Sequence, residues 1–483
     1  MFALALRSLR YRVGAFAASF LNVFLGAAIL MAFASLFDTA GGAGVSTVDR
    51  KSMTTMAWVI GGWGALIVAF GVAATLSLAV RQRAAELALL KSLGATPGQI
   101  GRLVVGEAAV VSAVAAVAAI PLAFLAGRAV VGALVSSHQI APGTAYRFGA
   151  LALGIGLGDA LAAAAIAAFI TARRAATLNT ARAAMSAAVE RRPRGRAPRR
   201  SGGQPALVGR WRAVFGCVFL FLGADCGVLA ATVFRGNGFL TESIAGEACI
   251  HTSIGLALFA PVLVRWVSAV LGPLVRGLGG AGGYLANLNL RQRTGQSAGV
   301  LMPIILFVGL ATGSLYMQQL RNDTFAAAQL VGAATSQGLS AAQLTRSADE
   351  KAVETLNFVI VGMIAVFAAV VLVNIAIATT VDRRREFGQQ RLVGSTPGQV
   401  RRMLGFETLV TLVAGLLSGT VAALASIVPY SIALAHTPVP HVGPAIYLGV
   451  VGAAVVLTFA ANLLSGRRTI RVPALDAVPS TMD

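Results

Sequence analysis

The stretch ELALLKSLGATPGQIGR at residues 86–102 has a counterpart, EFGQQRLVGSTPGQVRR, 300 positions later at residues 386–402. Both copies begin with Glu, contain the pattern Gly-x-Thr-Pro-Gly-Gln and end with Arg. A further Glu follows five residues after each copy, at Glu107 and Glu407. A charged block that recurs at one spacing within an apolar chain indicates a docking element that a partner of matching symmetry contacts twice.

The composition around this block is that of a membrane protein. Hydrophobic residues make up 57% of the 483 residues, charged residues only 12%, and the mean hydropathy is +0.78. Ten apolar runs are long enough to cross a hydrocarbon core of about 30 Å, and they are continuous rather than alternating. We therefore predict an all-α polytopic membrane protein with ten transmembrane helices. The predicted spans are residues 14–36, 55–80, 103–127, 148–171, 212–233, 249–272, 295–317, 355–380, 404–434 and 443–465.

The repeat extends beyond the docking block. Residues 9–12 before the first span resemble residues 290–293 before the seventh, at an offset of 281, and Arg pairs follow the fourth and tenth spans. The helices are therefore predicted to be arranged as 4+2+4, with two parallel four-helix repeats joined by a two-helix insert. The predicted divisions are a first repeat at 1–172, an Arg-rich cytoplasmic linker at 173–210, the insert at 211–280, a second repeat at 281–470 and a cytoplasmic tail at 471–483.

Charge predicts the orientation. With both termini in the cytoplasm, all but eight of the 39 Lys and Arg residues fall on the inner side. The net charge of +21 is thus mostly a topology signal, and because the basic residues are divided among short loops, nucleic acid is not a predicted partner. The linker either attracts anionic membrane lipids or only fixes the topology. The Ala-, Gly- and Arg-rich composition suggests a bacterial source, and hence the bacterial cytoplasmic membrane.

The two blocks also resemble a known family. From Glu86 to Glu107 and from Glu386 to Glu407 the chain is similar to the FtsX-like and MacB-like permease domain of ABC transporters of the type VII class. The resemblance implies a membrane subunit driven by two copies of a separate ATP-binding subunit, one per repeat, which bind ATP and Mg²⁺ and contact these blocks. None of the chain's three lysines ends a phosphate-binding Gly-x-x-x-x-Gly-Lys-Ser/Thr loop, so we predict no enzymatic activity and no cofactor in this chain.

Local sequence signals predict a rigid lever at each block. Gly94 suits the C-terminal cap of one helix, and Thr96 and Pro97 suit the N-cap and first position of the next. Flanking charges are expected to be exposed for the partner, although a turn selected only for its geometry is the alternative. Glu107 and Glu407 are predicted to pair with Arg102 or Arg402 or to cap backbone donors. The predicted ATPase-docking residues are Arg83, Glu86, Lys91, Gly94, Thr96, Pro97, Gln99, Arg102, Arg383, Glu386, Arg391, Gly394, Thr396, Pro397, Gln399 and Arg402.

Other polar residues in apolar runs give weaker signals. Asp159 and Asp225 lie within predicted spans, where an ionisable group is costly and therefore a functional candidate, although a polar helix contact is the alternative. The three cysteines have no metal-ligand spacing, and no two of the four histidines lie at a helical ligand spacing. No metal site is therefore predicted.

Three functions fit these features. The first is ATP-driven export or extraction of an amphiphilic lipid, peptide or drug, in which mechanotransmission through the two coupling helices shifts the four-helix units against each other. The second is signalling to a small external partner, which would contact the loop at residues 318–354. The third is ion-coupled secondary transport, which paired charges in mid-membrane would favour, whereas this chain has mainly the isolated Asp159 and Asp225.

Overall fold

The computed structural model of the chain is entirely helical wherever it has regular structure among the described residues. The described residues are 13–82, 84–136, 139–177, 209–236, 239–292, 294–334, 362–363, 365–381, 383–439 and 443–471. The helices in chain order are α1 (Val13–Ala40), α2 (Thr47–Gln82), α3 (Ala84–Ser92), α4 (Pro97–Ser136), α5 (Ala150–Thr177), α6 (Arg210–Ala231), α7 (Phe239–Leu258), α8 (Ala260–Gln292), α9 (Thr294–Ala334), α10 (365–381), α11 (Arg384–Leu392), α12 (Pro397–Ala435) and α13 (Ala445–Arg471).

Eight of the helical stretches in the described part of the chain are long and apolar enough to cross a membrane. They are Ser19–Ala40, Gly98–Ser136, Arg210–Ala231, Ala260–Gln292, Gly299–Thr324, Ala365–Leu392, Pro397–Ala435 and Ala445–Ile470. The predicted class of all-α membrane protein is thereby confirmed. The ten-span arrangement stays a prediction.

Two predicted segments differ in detail from the helices of the structure. The predicted span 249–272 contains a break at Phe259, between α7 and α8, two residues before Pro261. Proline has no N–H to donate to the preceding turn, which explains an interruption there that hydropathy alone does not register. The predicted external loop at 318–354 is helical up to Ala334, because α9 continues through Arg321, Asn322 and Asp323. The rest of that loop and the Arg-rich linker after Thr177 lie outside the described residues.

The chain divides into two compact units. Unit 1 comprises Met1–Asp38, Gly64–Ala126 and Phe148–Leu207. Within it, the Asp38 carboxylate at the end of α1 accepts hydrogen bonds from the backbone N–H groups of Gly149, Leu151 and Ala152, at 2.9, 3.2 and 2.8 Å. A carboxylate at a helix N-terminus satisfies donors that have no intrahelical partner. Asp38 thereby fixes the start of α5 against α1.

Unit 2 comprises Thr39–Trp63, Gly127–Arg147 and Val208–Asp483. Its centre is the packing of α9 against α12 through small residues. A Cβ added at Gly419 would lie 2.7 Å from the Cβ of Val308, and one at Gly309 would lie 3.1 Å from the Cβ of Ala422. Helices that lack a hydrophobic driving force in lipid associate through such close contacts.

The segment before α9 reverses direction. Gly280, inside α8, has φ 54° and ψ −135°, a conformation that is accessible to glycine and strained for other residues. After this kink, Gly282 and Asn289 lie against the first turns of α12. Residues 281–292 therefore brace the start of α12.

Candidate functional site

The two repeated blocks fold into turns of the same geometry. Gly94, after α3, has φ 95°, and Gly394, after α11, has φ 106°. In each turn two backbone N–H groups close the helix end: Gly94 donates to Lys91 O at 3.1 Å and Ala95 to Leu90 O at 3.0 Å. In the second turn, Gly394 and its successor make the equivalent bonds, both at 3.0 Å. The predicted glycine caps are thus present in both copies.

A reciprocal cap begins the following helix in each copy. The Thr96 backbone N–H donates to the Gln99 side chain at 2.9 Å, and the Gln99 N–H donates to the Thr96 hydroxyl at 3.3 Å. Thr396 and Gln399 make the same pair of bonds at the same distances. This is a capping box, in which two otherwise unpaired donors are satisfied together. The two glutamines, predicted only as docking residues, therefore stabilise the turns themselves.

Each turn presents apolar side chains to solvent. Leu93 is 76% exposed and Val393 is 90% exposed, and Leu89 and Leu392 next to them are also exposed. Arg102, three residues beyond Gln99 of the first capping box, and Arg402 in the second copy are exposed as well. Apolar side chains surrounded by polar ones are typical of a surface that binds another protein. The sequence predicts charged contacts here, whereas the structure adds an apolar tip, formed by Leu93 in one copy and Val393 in the other.

A buried ionic network lies behind the second turn. The Arg383 guanidinium forms an ion pair with the Glu407 carboxylate and a second one with Glu386, at 3.0 Å from Nε to Oε2. Asn289 donates from Nδ2 to the other Glu407 oxygen at 2.8 Å, and Arg383 also lies over the Phe387 ring, 5.0 Å from its centroid. The three charged side chains are only 10–14% exposed. This network joins α11, α12 and the brace at 281–292.

Three predictions about the second copy need correction. Glu386 was expected to be exposed, but its side chain is only 14% exposed and its carboxylate accepts hydrogen bonds from Arg383, while its docking role stays a prediction. Arg391 donates to the backbone oxygen of Ile470 at 2.8 Å, so it is tied to the end of α13. Glu407 does not pair with Arg402. Positions five apart on a helix point about 140° away from each other, and Arg402 faces solvent while Glu407 faces the network.

The first copy is described less completely. Arg83 and the side chains of Glu86 and Pro97 lie outside the described residues. Glu107, the counterpart of Glu407, is 3% exposed. In the second copy, the equivalent residue Glu407 is buried and holds its helix in place. The burial of Glu107 indicates the same role, and not contact with a partner.

The two intramembrane carboxylates differ from each other. Asp159 on α5 is partly buried, and its Oδ2 has no hydrogen-bond partner among the described residues. Asp225 on α6 is exposed. Only Asp159 has the burial expected of a functional carboxylate in a membrane span.

The glycine caps can be tested by stability. Gly394→Ala should lower the free energy of unfolding by about 1–2 kcal/mol, since an alanine at positive φ brings its Cβ against the neighbouring carbonyl. Gly398→Ala is the control, because Gly398 lies in the first turn of α12 and an added Cβ there meets nothing closer than 3.9 Å. The readout is the thermal midpoint of the detergent-solubilised protein. Equal shifts in the two variants would contradict a conformational role for Gly394.

One family model matches the chain. It is described as FtsX-like permease C-terminal, and it matches residues 58–180 and 358–474. Each matched segment contains one of the two turns, while α6, α7, α8 and α9 lie between the segments. No curated protein matches the chain.

Proposed function

Because this chain belongs to the FtsX-like permease family and is a permease of the ABC-transporter type, we propose that its two turns dock two copies of a separate ATP-binding subunit. ATP and Mg²⁺ would bind in that partner. The single observation that carries the proposal is the identical geometry of two turns 300 residues apart, each with an exposed apolar tip. A partner that binds as a symmetric pair needs two such surfaces.

The contacts behind the second turn support a lever mechanism. Force on Val393 passes into α11, whose Glu386 is held by Arg383 and whose Arg391 is held by the end of α13. Arg383 also donates to the Glu407 carboxylate on α12, and Asn289 donates to the same carboxylate. Since charge-assisted hydrogen bonds are short and geometrically specific, the turn and these helices would move as one body.

The proposed architecture is the 4+2+4 arrangement of ten helices, with 1–172 and 281–470 as parallel repeats and both termini in the bacterial cytoplasm. The prevalence of Lys and Arg in the predicted inner loops supports this orientation. Closure of the two ATP-binding subunits would push both turns and shift the repeats against each other. The Arg-rich linker would lie near anionic lipid headgroups on the same side.

The proposed substrate is an amphiphile that is exported or extracted from the membrane. Predicted outer loops too short for a large folded domain support a substrate that is reached from the bilayer. Signalling to a small external partner that contacts residues 318–354 is the alternative, and α9 forms the first part of that segment, up to Ala334.

The first test is affinity purification of the full chain from its native host in mild detergent, followed by mass spectrometry. We expect an ATP-binding subunit to copurify in twofold molar ratio to this chain. Vesicles that contain the complex should export an amphiphile only when ATP is supplied. If the chain purifies alone and moves substrate under an ion gradient, it is a secondary carrier and the proposal is wrong.

A further inference from the structure

Three metal-binding side chains converge between α6 and α7. Cys226 lies on α6, and Glu247 and His251 lie one turn apart on α7. The cysteine sulfur, a glutamate carboxylate oxygen and a histidine ring nitrogen all lie within 4.8 Å of one another. All three side chains are partly buried, so an ion could reach them while much of its surroundings is protein.

The approach of the two helices explains the convergence. Gly223, one turn before Cys226, faces the Thr252 backbone, and a Cβ at Gly223 would lie 3.0 Å from Thr252 N. Gly255 on α7 lies as close to Leu220 on α6. Because side chains three to four residues apart share a helix face, Cys226 points the same way as Gly223. The small residues therefore bring the cysteine within reach of α7.

The histidine is oriented for a ligand. Its Nδ1 lies 2.9 Å from the Glu247 backbone oxygen, which can only accept, so Nδ1 carries the proton and Nε2 offers its lone pair. The Phe219 ring stacks on the imidazole, with centroids 5.9 Å apart and planes 27° apart. In metal-binding histidines, the ring nitrogen that does not bind the metal usually donates its N–H to a carbonyl or carboxylate, as Nδ1 does here.

The charge balance also favours a cation. No ion pair of Glu247 is present within the described ranges, and Asp225 adds a second carboxylate beside Cys226. A partly buried carboxylate without a cation is costly, and a divalent ion would remove that cost.

We propose that Cys226, Glu247 and His251 form a zinc site that links α6 to α7. One sulfur, one nitrogen and one oxygen ligand suit Zn²⁺, whereas Mg²⁺ and Ca²⁺ take oxygen ligands only. The three ligands leave a fourth position for water or an external ligand. Ligand atoms around a tetrahedral zinc lie about 3.5 Å apart, so a small inward rotation of the side chains closes the site. The site lies between the two segments that match the family model.

Cobalt is the probe, because Co²⁺ occupies zinc sites and its bond to a thiolate absorbs in the near ultraviolet. The purified full chain in detergent should bind one Co²⁺ with such an absorption band, and Zn²⁺ should displace it. Cys226→Ser should remove the band, and Glu247→Gln should weaken Co²⁺ binding at least tenfold. Cys217→Ser is the matched control, since Cys217 lies exposed on the same helix outside the cluster, and it should keep the band.

Thermal stability gives a readout that does not depend on cobalt. Zn²⁺ should raise the melting temperature of the wild type and of Cys217→Ser, because an ion that binds only the folded protein stabilises it. It should not raise that of Cys226→Ser or Glu247→Gln, whose melting temperatures without metal report whether they fold. A thiolate band that survives Cys226→Ser, or an absence of saturable Co²⁺ binding by the wild type, would overturn the proposal.

Discussion

Replacing Leu93 and Val393 together with aspartate should abolish copurification of the ATP-binding subunit and ATP-dependent transport. Each side chain is the most exposed apolar group of its turn, so the substitution should not affect folding. A carboxylate at the centre of an apolar contact costs about 2–4 kcal/mol, and every 1.4 kcal/mol weakens binding about tenfold. Loss of the apolar contact at both turns should therefore weaken binding of the ATP-binding subunit by well over tenfold. The measurement is the amount of that subunit retained on affinity resin.

A substitution of the same kind elsewhere controls for the added charge. Val48, near the start of α2, is 76% exposed, as Leu93 is, and it lies in neither turn. Val48→Asp should leave copurification unchanged, while each single turn variant should give an intermediate loss. Wild-type retention of the subunit by the double variant would show that the apolar tips are not the docking surface.

Replacing Arg383 with leucine should destabilise the protein by about 3–5 kcal/mol. The substitution leaves the Glu386 and Glu407 carboxylates buried and close together without their shared cation, and removal of one partner of a buried ion pair has this order of cost. The melting temperature in detergent should fall by many degrees. Arg384→Leu, at the neighbouring exposed position, should have little effect.

A double substitution tests whether the loss comes from the uncompensated charge. Glu407→Gln in the Arg383→Leu background removes one of the two carboxylates while it keeps the shape of the side chain. The double variant should therefore lose less stability than the sum of the losses measured for Arg383→Leu and Glu407→Gln singly, by about 0.5–3 kcal/mol. If the two losses simply add, the network is not what holds α11 to α12.

The turns could be predicted because their signals are local. A glycine followed by Thr-Pro specifies a helix end and a helix start whatever surrounds it, and both copies have that geometry in the structure. The fold class could be predicted for the same reason, since a long continuous apolar run indicates a membrane helix without any knowledge of its tertiary contacts.

The interactions behind the turns required three-dimensional information. Glu407 contacts Arg383, 24 residues away, and the helical phase alone could have excluded Arg402 as its partner. The metal cluster was missed for a related reason. Glu247 and His251 are four residues apart, a ligand spacing that a comparison among cysteines and histidines alone does not reveal. Cys226 joins them only because the glycines allow two helices to approach.

The brace on Glu407 also has a consequence for the symmetry of the two halves of the chain. Asn289 precedes the seventh predicted span, and by the offset of 281 that aligns Arg10 with Arg291, the position before the first span is Ser8. A serine side chain is shorter than the asparagine side chain that binds Glu407, so the residues aligned behind the two turns differ while the turns themselves match in geometry. Under the proposed lever mechanism, the two turns would then be held with different stiffness. The same push from each ATP-binding subunit would move the two halves of the chain by different amounts.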